Sequence, residues 1–188
     1  MKGRCFGIAA LCTAVVIGVA ITTGYHAGLR LNFTDSAPHG LWLVQPVEAA
    51  SIKRGELVEV CPPASPVVRL MGERGYLSPG NCEDSGVIPL LKPVSAVAGD
   101  IIQFEPNHPV TINGVLLPNT AAMPALPGWP SGCYIVQPGE VWLFSSYSEG
   151  SFDSRYFGPV LLTNVRGIAR PVVVIGDLAA ITTGVTKQ

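Results

Sequence analysis

The segment Pro89–Phe104, with the sequence PLLKPVSAVAGDIIQF, decides the fold that this sequence predicts. Two short aliphatic runs, PLLKPVSAV and DIIQF, meet at Gly99-Asp100. Short apolar runs bounded by turn residues are typical of β-strands, so we predict two strands here. The first strand contains Lys92, a lone cation between apolar neighbours and therefore a candidate functional group.

The same pattern continues along most of the chain, and the helical signal is thin. Ser65–Leu77 predicts one short helix with Pro66 in its first turn, and Asn113-Gly114 predicts a hairpin with a type I′ turn. Residues 119–132, NTAAMPALPGWPSG, predict a long irregular connection. The further predicted strands are GELVEV, CYIVQ, GEVWLF, PVLLTNV and RPVVVIG. We therefore predict a mainly β chain of coiled antiparallel sheets with long loops.

The N-terminus predicts a transmembrane helix. Lys2 and Arg4 precede Phe6–Tyr25, a run of 20 residues without a formal charge. About 20 apolar residues cross a bilayer core of roughly 30 Å, and cations before the span favour a cytoplasmic N-terminus. The predicted division is a cytoplasmic N-terminus at 1–5, a transmembrane anchor at 6–28 and one domain at 29–188 on the far side of the membrane.

Two alternatives to a retained anchor remain open. A cleaved secretory signal has a shorter apolar core of about 7–15 residues, and Gly18-Val19-Ala20 offers small residues for such a cleavage. A lipoprotein signal would use Cys12, although bulky Leu11 stands where a small residue is wanted. Because the apolar run continues past Gly18-Val19-Ala20, we prefer the retained anchor.

The composition excludes some classes of function. Charged residues make up 13% of the chain, against about 25% in an average soluble protein, which favours a membrane or envelope protein. The net charge is −1 and there is no run of basic residues, so nothing indicates nucleic-acid binding.

The five cysteines divide by predicted compartment. Cys5 and Cys12 fall at or inside the apolar segment, whereas Cys61, Cys82 and Cys133 would face an oxidising space in which disulfides form. Cys61 and Cys82 flank an excursion rich in proline and glycine, so a bridge between them is our first choice, although spacing alone leaves the connectivity open. No cysteine or histidine spacing indicates a zinc site, and no metal is predicted.

Ser36 is the candidate nucleophile. It lies in Asn32–Val44, NFTDSAPHGLWLV, a turn segment close behind the apolar run. A serine hydroxyl needs a base, and His39 is one candidate, although so short a separation requires unusual geometry. Lys92 is the other. A lysine amine titrates near pH 10.4 in water, and burial can lower its pKa by several units, whereas a lysine at the surface would stay charged.

Three segments now support a resemblance to a known family. DSAPHGLW, LLKPVSAVAGD and SFDSRYFGPV occur in this order behind an N-terminal span. With them the chain resembles the signal peptidase I family of Ser/Lys membrane proteases, up to about Ile175, and within it the short TraF-type branch that matures conjugative pilins. The resemblance implies a signal-peptidase-like periplasmic catalytic domain at 29–188, anchored by a single pass in a bacterial inner membrane.

The resemblance also implies roles for individual residues. Ser36 matches the family's nucleophile and Lys92 its general base. The hydroxyl of Thr34 and the Ser36 backbone N–H match the family's oxyanion hole. Leu41 and Trp42, close behind this serine, are expected either to touch lipid or substrate or to pack in the core.

The last motif is expected to support this site. Ser151 matches a serine that orients the lysine, and Asp153 and Arg155 match supporting residues that could pair at strand spacing. The chain departs from the larger bacterial members at Ser145-Ser146-Tyr147, where they carry Gly-Asp-Asn. Pro93, where the family often has arginine, predicts an edge strand or a bulge because proline lacks a ladder N–H.

The expected substrate is a membrane-bound precursor, either a pilin or another preprotein, with a scissile bond near the membrane. Ser36 follows Arg30 by six residues, which places it within roughly 20 Å of the expected membrane surface. The lipid bilayer and components of a type IV secretion system are the other expected partners. No cofactor is expected, because the dyad supplies both acid and base. A general signal peptidase and a non-catalytic assembly module of a secretion apparatus are the alternatives, and hydrolysis and cyclising aminolysis both remain open.

Overall fold

The computed structural model describes residues 2–48 and 51–176. It begins with helix α1, Lys2–His26. Within this helix Phe6–His26 contains an 18-residue window with a mean hydropathy of 2.2, and this window is entirely exposed. At 1.5 Å per residue these 21 residues extend about 31 Å, which matches a bilayer core of roughly 30 Å. The helix is therefore long and apolar enough to anchor the chain by a single pass.

The rest of the described chain is mainly β and forms two curled antiparallel sheets, as predicted. A seven-stranded sheet has the order β1-β2-β11-β3-β4-β9-β10, and a four-stranded sheet has the order β7-β6-β5-β8. The strands are β1 Leu29–Asn32, β2 His39–Gln45, β3 Leu57–Val60, β4 Leu90–Val97, β5 Ile101–Phe104, β6 Thr111–Ile112, β7 Val115–Leu116, β8 Gly132–Ile135, β9 Glu140–Leu143, β10 Val160–Leu161 and β11 Val165–Ile175. Two short helices, α2 Pro66–Glu73 and α3 Ser154–Phe157, complete the fold.

The segment 89–104 links the two sheets. Its first strand, β4, lies between β3 and β9 in the large sheet, and its second, β5, is internal to the small sheet. Val94 packs in the cluster beneath the large sheet, and Ile102 and Phe104 pack in an aromatic cluster with Trp142. Because β4 is hydrogen-bonded on both sides and buried along most of its length, it is a rigid support for any side chain that it carries.

Several local predictions are confirmed. Pro66 opens α2, and the Ser65 side chain accepts a hydrogen bond from the Val68 N–H at the helix N-terminus. Asn113 and Gly114 have φ values of 50° and 81°, the positive pair that a type I′ turn requires, and they join β6 to β7. Residues 119–131 form no helix or strand.

Other predictions are wrong or incomplete. PVLLTNV is not one strand, because a 3-10 turn at Leu162–Asn164 separates Val160–Leu161 from Val165, where β11 begins. Pro93 does not lie on an edge strand. It faces Leu57 of β3, and the register of β4 with β9 begins at Val94 and shifts before Ala96, so the predicted bulge lies just beyond the proline.

The β1–β2 hairpin was not predicted, although it contains Ser36. The two strands pair in antiparallel register from Leu29↔Leu43 to Asn32↔Gly40, and residues 33–38 form the loop between them. Pro38 and Gly40 indicate a turn, so the sequence pattern around them does not predict the two flanking strands, β1 and β2. Only the alternation of half-buried and buried side chains along β2 indicates a sheet with one core-facing side.

The preferred disulfide is present between Cys61 and Cys82, whereas Cys12 and Cys133 are free and exposed. The bridge closes a loop over a sequence separation of 21 residues.

Loop-closure entropy predicts that this disulfide stabilises the fold by about 3 kcal/mol. The double variant Cys61→Ser/Cys82→Ser should lose about this much unfolding free energy in denaturant titrations of the full chain in detergent. Cys133→Ser is the matched control, and equal midpoints for all three proteins would contradict the prediction.

Candidate active site

Lys92 projects from β4 into the interior, where it is only 4% exposed. Burial lowers the pKa of its amine from 10.5 to about 8, because the charged form loses its water. The negative charge of Asp153 opposes this shift, and the positive charge of Arg155 adds to it. About one tenth of the lysine is therefore neutral at pH 7, compared with well under one thousandth for a lysine in water.

The amine of Lys92 meets two hydroxyls that come from distant parts of the chain. Nζ lies 2.6 Å from Ser36 Oγ and 2.8 Å from Ser151 Oγ, and the two oxygens are 3.3 Å apart. An ammonium would donate to both oxygens, whereas a neutral amine can accept the Ser36 proton while Ser151 holds its orientation. A heavy-atom distance of 2.6 Å is within the range that proton transfer requires.

Ser36 lies at the end of a groove and is half-buried, whereas Lys92 and Ser151 lie beneath it. Its turn is fixed to the sheets at two points. The Ser36 carbonyl accepts a hydrogen bond of 2.7 Å from the Ser145 hydroxyl, and the Pro38 carbonyl accepts one of 3.1 Å from the Trp42 indole N–H. Trp42 is 1% exposed and therefore belongs to the core, not to a lipid-facing surface.

His39 does not approach Ser36 as a base. Its Nε2 lies 3.0 Å from the Asp35 carboxylate, and both side chains are exposed. Of the two bases that the sequence offered for Ser36, the structure brings only Lys92 into contact with it.

Thr34 belongs to the same turn but does not touch the Ser36–Lys92 pair. Its hydroxyl donates to Asn32 Oδ1 over 2.8 Å, and its side chain faces the groove. To stabilise an oxyanion this O–H would have to rotate away from Asn32.

Asp153 and Arg155 form a buried ion pair, with side-chain exposures of 0% and 1%. The guanidinium donates from Nε and Nη2 to the two carboxylate oxygens over 2.8 and 2.9 Å. The expected strand spacing is wrong, because Asp153 is the N-cap of α3 and also accepts the backbone N–H of Arg155. The short helix, not a strand, brings the two side chains together.

The remaining N–H groups of Arg155 reach backbone carbonyls around the site. Nη2 donates to the Ser151 carbonyl over 2.6 Å, and Nη1 donates to the carbonyls of Asn119, Ala121 and Glu149. The arginine therefore ties the long irregular connection to the backbone of Ser151, and through Ser151 it fixes the orientation of the lysine. In the described part of the chain, neither Arg155 nor Asp153 hydrogen-bonds to Ser36 or Lys92.

The sequence interpretation missed two residues of the site, Asn32 and Ser145. Ser145 is fully buried, and its backbone N–H donates to Asp153 while its hydroxyl holds the Ser36 carbonyl. Its position was noted only as a departure from Gly-Asp-Asn. For Asn32 the sequence does hold a signal, since an asparagine just before a Pro/Gly-rich turn indicates side-chain to backbone bonding.

A groove of about 910 Å³ leads from Ser36, Lys92 and Ser151 toward Tyr25 at the end of α1. Its walls are mostly apolar and include Leu77, Ile88, Leu90, Leu91 and Phe152. Near α1 its floor holds the Arg30–Glu59 ion pair, and the Arg30 guanidinium lies 4.2 Å from the centre of the Tyr25 ring. The groove therefore connects the end of α1 with the Ser36–Lys92 pair along mostly apolar walls.

A buried amine lies beside a groove-facing serine, and comparison with known proteins gives the family of the chain. The family model described as signal peptidase, peptidase S26, matches residues 4–174. The chain therefore belongs to the S26 signal peptidase family.

The chain is also similar to proteins that are named for conjugal or plasmid transfer. A probable conjugal transfer protein TraF of Sinorhizobium fredii is 36% identical over 177 residues, covering 92% of this chain and 90% of the relative. A plasmid transfer protein TraF of Escherichia coli is 36% identical and covers 85% of this chain and 92% of the relative. A solved signal peptidase I from Enterococcus faecalis matches 66% of this chain and 98% of its own, at 16% identity and a TM-score of 0.37.

Proposed function

We propose that this protein is a membrane-anchored serine endopeptidase that cleaves signal or pro-segments from exported precursors, with Ser36 as nucleophile and Lys92 as general base. The observation that carries the proposal is the buried amine of Lys92, 2.6 Å from the Ser36 hydroxyl. Membership of a peptidase family supports the same assignment.

In the proposed reaction neutral Lys92 takes the Ser36 proton as Oγ attacks the scissile carbonyl carbon. The tetrahedral adduct collapses, the C–N bond breaks, and the Lys92 ammonium gives its proton to the leaving amine. An ester of Ser36 remains. An incoming water or amine then attacks this ester, Lys92 takes a proton from it, and the Ser36 oxygen leaves with that proton.

The developing oxyanion is proposed to lie between the Ser36 backbone N–H and the Thr34 hydroxyl, after that hydroxyl has turned from Asn32. Ser151 keeps the lysine amine directed at Ser36 through its 2.8 Å contact. Removing one oxyanion donor from a comparable site costs about 10²–10³ in turnover. Thr34→Val should therefore retain far more activity than Ser36→Ala.

Substrate and compartment follow from the anchor and the relatives. The relatives are named for conjugal and plasmid transfer, so we propose that the substrate is a membrane-bound pilin precursor of a type IV secretion system. The proposed orientation has the N-terminus in the cytoplasm and residues 29–188 in the periplasm. The Cys61–Cys82 disulfide supports an oxidising compartment for this domain.

An exposed apolar sheet face also supports a position at the membrane. Leu31, Leu41 and Val173 are partners across β1, β2 and β11, so their side chains share one face. Leu31 and Val173 are 60% and 66% exposed, and β1 begins three residues after α1 ends. This face lies next to the proposed span, and its burial against lipid would hold the groove at the height of a substrate's own membrane segment.

The proposal is tested by co-expressing the full chain with a candidate pilin precursor and weighing the product by mass spectrometry. A mass equal to the trimmed chain indicates hydrolysis, and a mass lower by one water indicates ring closure by the precursor's own amino terminus. Ser36→Ala and Lys92→Ala should each leave the precursor uncut. A non-catalytic assembly module would instead leave processing unchanged in both variants, and that result would overturn the proposal.

The pH dependence of cleavage provides an independent prediction. Because the pKa of Lys92 is lowered to about 8, the active neutral form increases as pH rises through 8 and then reaches a plateau. For a substrate peptide without ionisable groups, kcat/KM should rise about tenfold between pH 7 and pH 9, since this parameter reports the free enzyme's pKa. A flat profile over that range would remove Lys92 as the titrating base.

A further inference from the structure

We propose that Asn32 is a positioning residue with two roles. It fixes the backbone of the turn that carries Ser36, and it accepts the hydrogen bond of the Thr34 hydroxyl until substrate binds. The inference rests on the proposed function of Ser36 and Thr34. Asn32 is the last residue of β1 and is 5% exposed, so its amide lies inside the turn that it precedes.

Both ends of the Asn32 amide are engaged by backbone of the same turn. Nδ2 donates to the carbonyls of Thr34, Ala37 and Pro38 over 3.1, 3.0 and 3.1 Å. Oδ1 accepts the Thr34 backbone N–H over 3.1 Å. Two N–H bonds serve three carbonyls, so one hydrogen is shared, and a single side chain satisfies polar groups on both sides of Ser36.

This pattern fixes the backbone that carries the nucleophile. Thr34 precedes Ser36 and Ala37 follows it, and both are bonded to the same planar amide, so the intervening residues cannot move independently. Ser145 holds the Ser36 carbonyl from the opposite side over 2.7 Å. The Ser36 Oγ–Lys92 Nζ contact therefore depends on a backbone that Asn32 sets from within the hairpin.

The second part of the role concerns the Thr34 hydroxyl. Its O–H donates to Asn32 Oδ1 over 2.8 Å, which keeps the side chain on the Ser36 side of the groove and satisfies its proton in the free enzyme. When a tetrahedral oxyanion forms, a charged acceptor replaces the neutral amide oxygen, and charge-assisted hydrogen bonds are roughly twice as strong as neutral ones. The Thr34 hydroxyl keeps its proton and turns its hydrogen bond from Asn32 Oδ1 to the oxyanion, without reorganising the turn.

Kinetics on the full chain in detergent test this inference, with an alanine-rich quenched-fluorescence peptide that the wild-type protein cleaves as the probe. Asn32→Ala should lower kcat about 10²-fold and change KM less than threefold, since it misplaces reacting groups and leaves the groove walls intact. Asn32→Asp keeps the side-chain volume but directs a carboxylate at three carbonyls, so kcat should fall similarly. This second variant keeps the test available if Asn32→Ala does not fold. Asn107→Asp, on an exposed turn, is the matched control.

A double-mutant cycle separates positioning from a merely structural role. If Asn32 acts through Thr34, Thr34→Val should cost much less in an Asn32→Ala background than in the wild type. The apparent pKa of about 8 in the kcat/KM profile should persist in Asn32→Ala, because the burial of Lys92 and the charges of Asp153 and Arg155, which set that pKa, are retained. Additive effects of the two substitutions, or a kcat within twofold of wild type, would overturn the inference while Ser36→Ala remained inactive. Cleavage by Ser36→Ala would instead overturn the proposed function itself.

Discussion

Replacing Lys92 with methionine is expected to abolish cleavage and at the same time to stabilise the folded protein. The catalytic loss should be about 10⁴-fold, at the upper end for a general base, because no second base contacts the Ser36 hydroxyl among the described residues. The stability gain arises because an ionisable amine is buried in the fold. A lysine whose pKa falls from 10.5 to about 8 on folding costs about 3 kcal/mol at pH 7.

Part of that gain is offset, since methionine loses the two hydrogen bonds between Nζ and the hydroxyls of Ser36 and Ser151. At about 1 kcal/mol each, their loss leaves a net stabilisation of about 1 kcal/mol at pH 7. The folded pKa lies below the unfolded pKa, so the cost of burying the amine is complete below pH 8 and declines as pH rises toward 10.5. The advantage of Lys92→Met over wild type should therefore shrink above pH 8 and reverse once the lysine is neutral in both states.

Denaturant unfolding of the two proteins in detergent at pH 7 and pH 10 measures this difference directly. Lys53→Met is the matched control, because Lys53 is exposed and its removal should change stability at neither pH. A Lys92→Met variant that is less stable than wild type at pH 7, or whose stability difference does not vary with pH, would show that burial does not lower the pKa of the Lys92 amine. A variant that loses activity and gains stability is expected when the replaced catalytic group is buried at a cost to folding.

The sequence predicted the centre of the site because that centre depends on residue type within short motifs. Lys92 is a lone cation in an apolar strand and Ser36 stands in a turn, and both properties are visible without a fold. The separation of 56 residues between them is closed by sheet pairing, which only the order of the motifs and the family resemblance could supply. Ser151 was identified in the same way.

The supporting contacts were not predictable for a physical reason. Ser145 donates a hydrogen bond to the Ser36 carbonyl across a sequence separation of 109 residues. Nothing in its residue type distinguishes it from a serine at the surface, so the sequence does not predict this contact. Asn32 makes five polar contacts, all of them to the backbone or to Thr34. Its residue type before the turn indicates backbone bonding, but which groups it reaches depends on the β1–β2 pairing, which was not predicted. The spacing of Asp153 and Arg155 predicted their pairing, but whether a strand or a helix turn brings them together depended on packing.

The second large effect is expected from Asp153→Ala, which should destabilise the protein by about 3–5 kcal/mol. Its removal leaves the Arg155 guanidinium buried without a counter-charge, and losing one partner of a buried ion pair costs about this much. The variant also loses the acceptor for the Ser145 N–H and the cap of α3. Asp84→Ala is the matched control, since Asp84 is exposed and should change stability little.

The double variant Asp153→Ala/Arg155→Met decides whether the unpaired charge causes this loss. Removing the guanidinium along with the carboxylate eliminates the buried charge, so the double variant should recover part of the unfolding free energy that the single variant loses. It should not recover cleavage, because the Ser151 carbonyl has lost its 2.6 Å donor and Ser151 no longer orients Lys92. If the two substitutions are instead additive in stability, the cost of Asp153→Ala lies in its capping and backbone contacts, and Arg155 is held by the surrounding carbonyls without its carboxylate.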